Sequence, residues 1–134
     1  MIAALLGAAG VAIGAYAAHG LEKSLVEQTI GPEEIADRLR QCDVAVRYHM
    51  LHVVVLLIVG LGTLRATKIL AVSALFFLLG MLLFCGGLYS MVFTGVMGHW
   101  AIVPAGGMCF LVGWIMLALA ALLSGNDGSI AADG

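Results

Sequence analysis

Two histidines three residues apart are the side chains best placed to do chemistry in this sequence. His49 and His52 fall within residues 47–52, RYHMLH, where an arginine and a tyrosine precede them. A spacing of three residues places both imidazoles on one face of a helix. Imidazoles placed in this way can relay a proton, ligate a metal ion or exchange hydrogen bonds, so this segment is the candidate functional site.

The site is expected to lie inside a membrane. The apolar run 53–64 that follows it is too short to cross a bilayer, which takes roughly 20 helical residues at about 1.5 Å each. The span must therefore begin near Asp43. Measured from Leu64, His52 is expected about 12 Å below the near surface, with Arg47 shallow enough to snorkel. A ring at that depth must face protein or water, because lipid offers it no partner.

The composition is that of a membrane protein. The chain has 134 residues, of which 63% are hydrophobic and 10% charged, whereas soluble domains carry about 25% charged residues. Its mean hydropathy is +1.12. The length leaves room for about four crossings, so the predicted fold class is all-α: a polytopic membrane protein with four antiparallel transmembrane helices.

Charge and composition also bear on the partners. A net charge of -2 with only six lysine and arginine residues argues against a nucleic-acid surface. The lipid bilayer is the expected partner. A homo-oligomer and a larger membrane complex are both left open.

The hydropathy pattern divides the chain into one transmembrane domain, 1–123, and a flexible tail, 124–134. A polar loop at 19–42, partly helical and outside the membrane, separates the first two spans. Pro32 followed by two acids is typical of a helix start, so we expect one long helix from about Pro32 to Leu64. The four spans are predicted at about 2–18, 43–64, 69–93 and 100–123.

Small residues indicate where helices approach closely. Ala3, Gly7, Gly10, Gly14 and Ala17 repeat at steps of four and three, which lays them along one stripe of span one. This pattern predicts that span one is the close-packed centre of the bundle. Gly10 and Gly14 also form a GxxxG pair, which serves either a neighbour in the same chain or another subunit. The glycines expected to pack between helices are Gly7, Gly10, Gly14, Gly86, Gly87, Gly106 and Gly107.

Hairpin topology gathers the polar side chains at one side of the membrane. Antiparallel spans bring together the end of span one, the start of span two, the end of span three and the start of span four. All 4 histidines of the chain fall on that side, which is the side of the polar loop. The candidate polar cluster predicted there consists of His19, Arg47, Tyr48, His49, His52, Tyr89, Ser90 and His99.

Three roles for this cluster are open. In the first, its members hydrogen-bond one another and free backbone carbonyls, which keeps the buried imidazoles neutral. In the second, the histidines relay protons or ions. The third is ligation of copper or haem by the candidate residues His49, His52 and His99, with soft sulfur ligands available from Met50, Met91 and Met97.

The sequence lacks motifs of enzymatic catalysis. It contains neither GxSxG nor HExxH, and no pair of carboxylates falls within a predicted span. Cys42, Cys85 and Cys109 have no CxxC spacing, which indicates a packing role. We therefore predict a non-enzymatic accessory or assembly component without a metal or cofactor. An oligomeric channel or proton-linked permease is the first alternative, and a copper- or haem-binding membrane protein is the second.

Four segments taken in order resemble a known family. They are residues 14–21 (GAYAAHGL), 45–52 (AVRYHMLH), 86–89 (GGLY) and 104–107 (PAGG) leading to a Gly-Trp pair at 113–114. Together they are similar to the YgdD-like small membrane proteins, a family of unknown function in bacterial inner membranes with relatives in mitochondria.

The resemblance implies four spans and a multi-pass location in the inner (plasma) membrane, and it brings no established catalytic or ligand residues. Where family members tend to carry SGSLY, this chain has CGGLY at 85–89, so a role that needs those hydroxyls is not implied. The positions that match the polar landmarks of the family are His19, Tyr48, His52, Tyr89 and Pro104.

The distribution of positive charge predicts the orientation. Cytoplasmic loops carry an excess of lysine and arginine. The side of the polar loop has Lys23, Arg38, Arg40 and Arg47, and the opposite side has Arg65 and Lys68. We therefore expect the polar loop in the cytoplasm and both termini outside.

Overall fold

The computed structural model describes residues 1–62, 68–96 and 100–130, with side chains described as far as residue 124. Four long helices account for most of this part of the chain, and each is long and apolar enough to cross a membrane. The predicted all-α fold with four spans is confirmed. The helices are α1, Ile2–Glu27; α2, Pro32–Gly60; α3, Lys68–Thr94; and α4, Ile102–Ile130.

Helix α1 continues well beyond the predicted end of span one. It passes through a wider π-helical turn at Ala17–Leu21 and runs on to Glu27. Much of the region predicted as a polar loop is therefore helical. Residues 28–31 form a short connection to α2. Gly31 takes an extended conformation, and Pro32 stands in the first turn of α2. This helix start is the one that the sequence predicted, but α2 ends at Gly60 rather than near Leu64, which lies outside the described residues.

Helix α3 also contains a π-helical turn, at Met81–Cys85, and ends against Gly95 in the left-handed conformation with φ of 68°. A π-turn holds one residue more than an α-turn, so it rotates the helix that follows by about 100°. At the C-terminus, α4 is helical to Ile130, where a flexible tail was predicted from 124. Residues 131–134 lie outside the described residues.

The helices pack in chain order, α1 on α2, α2 on α3, and α3 on α4, with the most extensive contact between the last two. The main core cluster lies within the membrane and includes Val53, Phe77, Met81 and Phe110. A second cluster joins the outer end of α1 to α2 and α3 through Leu21, Leu25, Cys42 and Val92.

The prediction that span one is the centre of the bundle is wrong. Only 6% of the most apolar 18-residue window of α1 is buried, against 33%, 33% and 22% for the other three helices. The stripe of small residues faces α2. A Cβ added at Gly7 would lie 3.2 Å from Val53 Cγ1, and one at Gly10 would lie 2.7 Å from Met50 Sδ. Gly14 lies in the same way beside Val46 of α2. The stripe therefore attaches the membrane-spanning part of α1 to α2, and the opposite face of that part points outward.

Glycines set the close approach of α3 and α4. A Cβ added at Gly106 would overlap the backbone nitrogen of Phe84, and one at Gly87 would lie 2.8 Å from Val103 Cγ2. Gly107 makes only an ordinary contact, 3.9 Å from the Phe84 ring. Gly86 packs against no other helix, since its nearest neighbour is a carbonyl of α3 itself at 4.0 Å.

Two further glycines, which the sequence analysis did not select, pack tightly at this interface. A Cβ at Gly80 would overlap the Phe110 ring, and one at Gly113 would lie 2.8 Å from the Phe77 ring. Beside them the fully buried Ser73 donates a hydrogen bond from Oγ to the Gly113 carbonyl oxygen at 2.8 Å. This bond between α3 and α4 lies within the membrane, where water cannot replace it.

Candidate functional site

His52 is the most deeply buried histidine among the described residues, with 1% of its surface exposed. Its Nδ1 lies 2.7 Å from the carbonyl oxygen of Tyr48, one turn earlier in α2. A carbonyl can only accept a hydrogen bond, so Nδ1 carries the proton and Nε2 carries the free lone pair. Nε2 is buried and has no hydrogen-bond partner. An imidazolium buried here without a counter-ion would be costly, so His52 is a neutral imidazole whose Nε2 is an unused acceptor.

Aromatic rings surround this imidazole. The Phe110 ring is stacked on it with centroids 3.7 Å apart and planes inclined by 9°. Phe77 and Trp114 lie at 5.4 Å and 6.2 Å, and the Tyr48 ring is stacked at 6.1 Å. The rings come from α2, α3 and α4, so His52 joins three helices by packing as well as by its local hydrogen bond.

The end of α2 changes the depth of His52. The sequence analysis measured this depth from Leu64, but the helix ends at Gly60. Eight residues separate His52 from Gly60, which corresponds to about 12 Å. In a hydrocarbon core of about 30 Å the imidazole therefore lies about as close to the middle of the bilayer as predicted, but in the half that is nearer to Gly60.

His49 faces different neighbours. Its Nδ1 lies 3.2 Å from the hydroxyl oxygen of Tyr89 on α3, which joins α2 to α3. The ring also packs on α1 at Gly10, where an added Cβ would lie 3.5 Å from the imidazole Cδ2. His49 Nε2 has no hydrogen bond of ordinary geometry, although the ring lies beside the main chain of Leu6. The two histidines are thus both buried, but one faces α1 and α3 while the other faces α3 and α4.

The structure brings four of the eight predicted cluster residues together, as two separate pairs. One pair is His49 with Tyr89, and the other is His52 with Tyr48. Tyr48 itself is 43% exposed and packs its ring on Phe84 at 4.8 Å.

The remaining predicted members do not join these pairs. His19 is exposed in the π-turn of α1, and Ser90 is exposed on α3. Arg47 is exposed and pairs with Asp43 at 2.8 Å on the outer surface of α2. His99 lies outside the described residues, as does Met97, one of the possible sulfur ligands.

The metal candidates do not converge either. Within the part of the chain that the structure describes, no group of three His, Cys, Asp or Glu side chains is arranged to hold a metal ion. His49 and His52, which were predicted to share a helix face, direct their rings to different neighbouring helices. What the geometry offers at His52 is a single unused acceptor in an apolar surrounding.

Arg38 is a buried polar residue that the sequence analysis used only as a positive charge. Its Nη2 donates to Glu34 Oε1, and its Nη1 lies 3.4 Å from Gln28 Oε1 and 3.5 Å from the Val92 carbonyl oxygen. The guanidinium also lies against Gly95, where an added Cβ would overlap it. Arg38 therefore binds the C-terminal end of α3, where the helix dipole favours a cation. The sequence could have indicated that Arg38 is buried, because this residue falls on the apolar stripe of α2 between Ile35 and Cys42.

Comparisons with known proteins agree with this architecture. A family model described as "Protein of unknown function (DUF423)" matches residues 13–107. A UPF0382 membrane protein of Haemophilus influenzae is 39% identical over 117 residues, 87% of each chain. The Bacillus subtilis membrane protein YwdK is 32% identical over 84% of this chain and 85% of its own.

The Escherichia coli inner membrane protein YgdD is 32% identical over 124 residues, 91% of this chain and 87% of its own. The resemblance to YgdD-like proteins is therefore confirmed. A comparison with solved structures finds no match. The chain belongs to the DUF423 family of proteins of unknown function, and it is a multi-pass integral protein of the inner membrane.

Proposed function

We propose that this protein is a non-enzymatic accessory component that binds another integral membrane protein through the outer face of α1. The observation that supports the proposal is a difference between outer faces. Exposed positions of α3 and α4 carry bulky side chains typical of lipid contact, for example Val72, Leu75, Leu79, Leu111, Ile115 and Leu119.

The outer face of α1 is built from smaller residues. Ala4, Ala8, Ala12 and Ala15 are all exposed and follow one another at steps of four, four and three. Small residues at this spacing are typical of helix interfaces in membranes, because they let two backbones approach closely. Bulky exposed residues, among them Leu5 and Val11, flank the alanines and would contribute apolar contact area. The face thus has the composition of a helix-packing surface although none of the described helices covers it.

The inner side of α1 supports the same role. The backbone of α1 approaches only that of α2 among the described helices, so α1 can contact a partner without any rearrangement of the bundle. His49 and Tyr89 join α2 to α3 beneath it, which holds the surface that carries α1 in place. In this proposal the polar side chains stabilise the scaffold and the alanine face selects the partner.

Photo-crosslinking in intact membranes tests the proposal. A benzophenone amino acid is placed at position 8 on the outer face of α1 and, as the matched control, at position 71, an exposed alanine on α3. Position 8 is expected to give one discrete product heavier than this chain, containing a different membrane protein, and position 71 is expected to give none.

Two results would overturn the proposal. One is equal, diffuse labelling from both positions, which would show that the alanine face contacts only lipid. The other is a product from position 8 that contains only two copies of this chain, which would assign the face to a homo-oligomer. As a second measurement, Ala8→Leu should reduce recovery of the crosslinked partner at least about fivefold by blocking close helix approach, and Ala71→Leu should leave it unchanged.

A further inference from the structure

A groove in the membrane-embedded surface is lined in part by His52, the residue whose buried Nε2 is an unused acceptor. It lies between α2 and α4, with Phe84 of α3 in its wall, and has a volume of about 450 Å³. Its lining includes His52, Phe110 and Trp114 together with the exposed Leu111. No charged residue lines it.

The hydrogen-bonding state of His52 defines what the groove lacks. Since Nδ1 donates to the Tyr48 carbonyl oxygen at 2.7 Å, Nε2 can only accept a hydrogen bond while the ring is neutral. This nitrogen is buried without a partner in a side chain that is 1% exposed. Buried polar atoms are nearly always satisfied, and an unsatisfied one calls for an explanation such as a missing ligand. A donor group supplied from outside the chain would satisfy it.

The walls of the groove define the rest of the ligand. The ring centroids of Phe84 and Phe110 lie 5.8 Å apart, and the Tyr48 ring packs on both. Such walls bind a flat apolar ring by stacking and edge contacts. Because charged groups are absent from the lining, a charged ligand would be buried there without a counter-ion.

Irregular backbone shapes this site. Phe84 lies in the π-turn Met81–Cys85. Its ring lies 3.9 Å from the position that a Cβ added at Gly107 of α4 would occupy. π-Turns inside helices are frequently found at functional sites. The groove opens toward lipid, since Leu51 and Trp114 at its rim are 52% and 42% exposed, so a ligand dissolved in the bilayer can enter sideways.

We propose that this groove binds a neutral, membrane-soluble molecule whose flat ring carries a hydroxyl group, and that this hydroxyl donates a hydrogen bond to His52 Nε2. The ring packs against the wall formed by Phe84, Phe110 and Trp114, and any hydrocarbon chain extends past Leu111 into the bilayer. Nε2 is shielded by its surroundings, so a side chain of the lining has to move when the ligand enters. Trp114, which stands edge-on to the imidazole at 6.2 Å, is the side chain that we propose to shift. The groove is remote from the alanine face of α1, so the two proposals can fail independently.

The fluorescence of Trp114 provides the test. The full-length protein carrying Trp100→Phe is reconstituted in lipid nanodiscs, which leaves Trp114 as the only tryptophan of the chain. The probes are a brominated 4-alkylphenol, whose bromine quenches tryptophan, and its O-methyl ether, which enters the bilayer but has no hydrogen to donate. The phenol is expected to quench Trp114 saturably and to bind about tenfold more tightly than the ether.

Two variants complete the design. In His52→Phe the stacking ring is kept and the acceptor is removed, so the preference for the phenol over the ether should disappear. In a Trp114→Phe protein the remaining Trp100, which is 73% exposed and does not line the groove, should be quenched equally by both probes without saturation. The proposal would be overturned if quenching of Trp114 gave the same affinity for the phenol and the ether. It would also be overturned if the preference for the phenol survived in His52→Phe.

A second readout does not depend on the folding of the His52 variant. In protein with 15N-labelled histidine, the Nε2 resonance of His52 should move upfield when the phenol saturates the groove, because an accepted hydrogen bond shields an unprotonated imidazole nitrogen. The ether should leave it in place. A saturated phenol complex with an unshifted Nε2 resonance would show that the hydroxyl binds elsewhere.

Discussion

At the scale of single residues, the close approach of α3 and α4 depends on a residue without a side chain. Gly106 on α4 lies against the backbone of Phe84 on α3, and an added Cβ would overlap the Phe84 nitrogen. Backbone atoms cannot rotate away as side-chain atoms can, so a larger residue must push the two helices apart. Gly86 has equivalent chemistry without this constraint, because only a carbonyl of its own helix lies within 4.0 Å.

This pair yields a prediction about stability. Gly106→Ala should lower the free energy of unfolding by about 2 kcal/mol, the typical cost of overpacking. Gly86→Ala should change it by less than about 0.5 kcal/mol, since alanine is the better helix former. Reversible unfolding in mixed detergent micelles measures both. If the two variants lost equal stability, the close contact of α3 with α4 would not be the reason for the glycine.

The residue scale also shows which part of the site was predictable. The sequence identified His49, His52, Tyr48 and Tyr89 as members of one polar cluster, and the structure places them in two pairs. Residue type and depth can be read from the chain, because a polar group in an apolar run has to be buried by protein. The partner of each ring depends on the rotation of α2 about its axis, which the spacing alone does not determine.

At the scale of elements, Arg38 joins three segments that hydropathy treats separately. Its side chain is 11% exposed and connects α2 to Gln28 before it and to the end of α3. Arg40, two residues later, is 74% exposed and among the described residues forms its ion pair with Asp37 on its own helix. The two arginines therefore make very different contributions to the docking of α2 against α3.

Substitution of these arginines tests that difference. Arg38→Met should destabilise the protein by about 2 kcal/mol, because a partly buried cation at a helix C-terminus is lost and the Val92 carbonyl loses a donor. Arg40→Met should cost about 0.5 kcal/mol or less, as for an exposed ion pair. Limited proteolysis near residues 28–31 should also speed up in Arg38→Met. Unchanged cleavage together with full stability would remove the capping role.

The two π-turns explain why other element-level predictions were incomplete. Each inserts one residue into a helical turn, so the stripe of residues that faces a neighbour changes sides. After Met81–Cys85, for example, Gly87 rather than Gly86 meets α4. A periodicity of 3.6 residues counts both glycines as candidates. Only the packed structure shows where the helix absorbs the extra residue.

At the scale of the whole molecule, orientation follows from charge rather than from packing. The short α1–α2 connection lies on the side of the membrane that carries Lys23, Arg38, Arg40 and Arg47. The start of α3 at Lys68 lies on the opposite side. An excess of positive charge marks the cytoplasmic side. The predicted topology has this connection in the cytoplasm and both termini outside.

Fusions at the C-terminus test this orientation in cells. Alkaline phosphatase fused after residue 134 should be active, because it folds only outside the cytoplasm, and green fluorescent protein at the same place should stay dark. A fluorescent but phosphatase-silent pair would invert the topology. As an internal control, the same reporters inserted in the α1–α2 connection should give the opposite pair of signals.

The sequence by itself determined that this chain crosses the membrane four times and carries its histidines in or beside the spans. Transfer from water to lipid is nearly additive over residues, so the number of spans can be summed locally. Tertiary structure alone decided that α1 is peripheral, that His49 and His52 face different helices, and that Nε2 of each of these two imidazoles is buried without a hydrogen-bond partner. These properties depend on the rotation and contact of whole helices, where many weak packing terms compete and no short segment contains the answer.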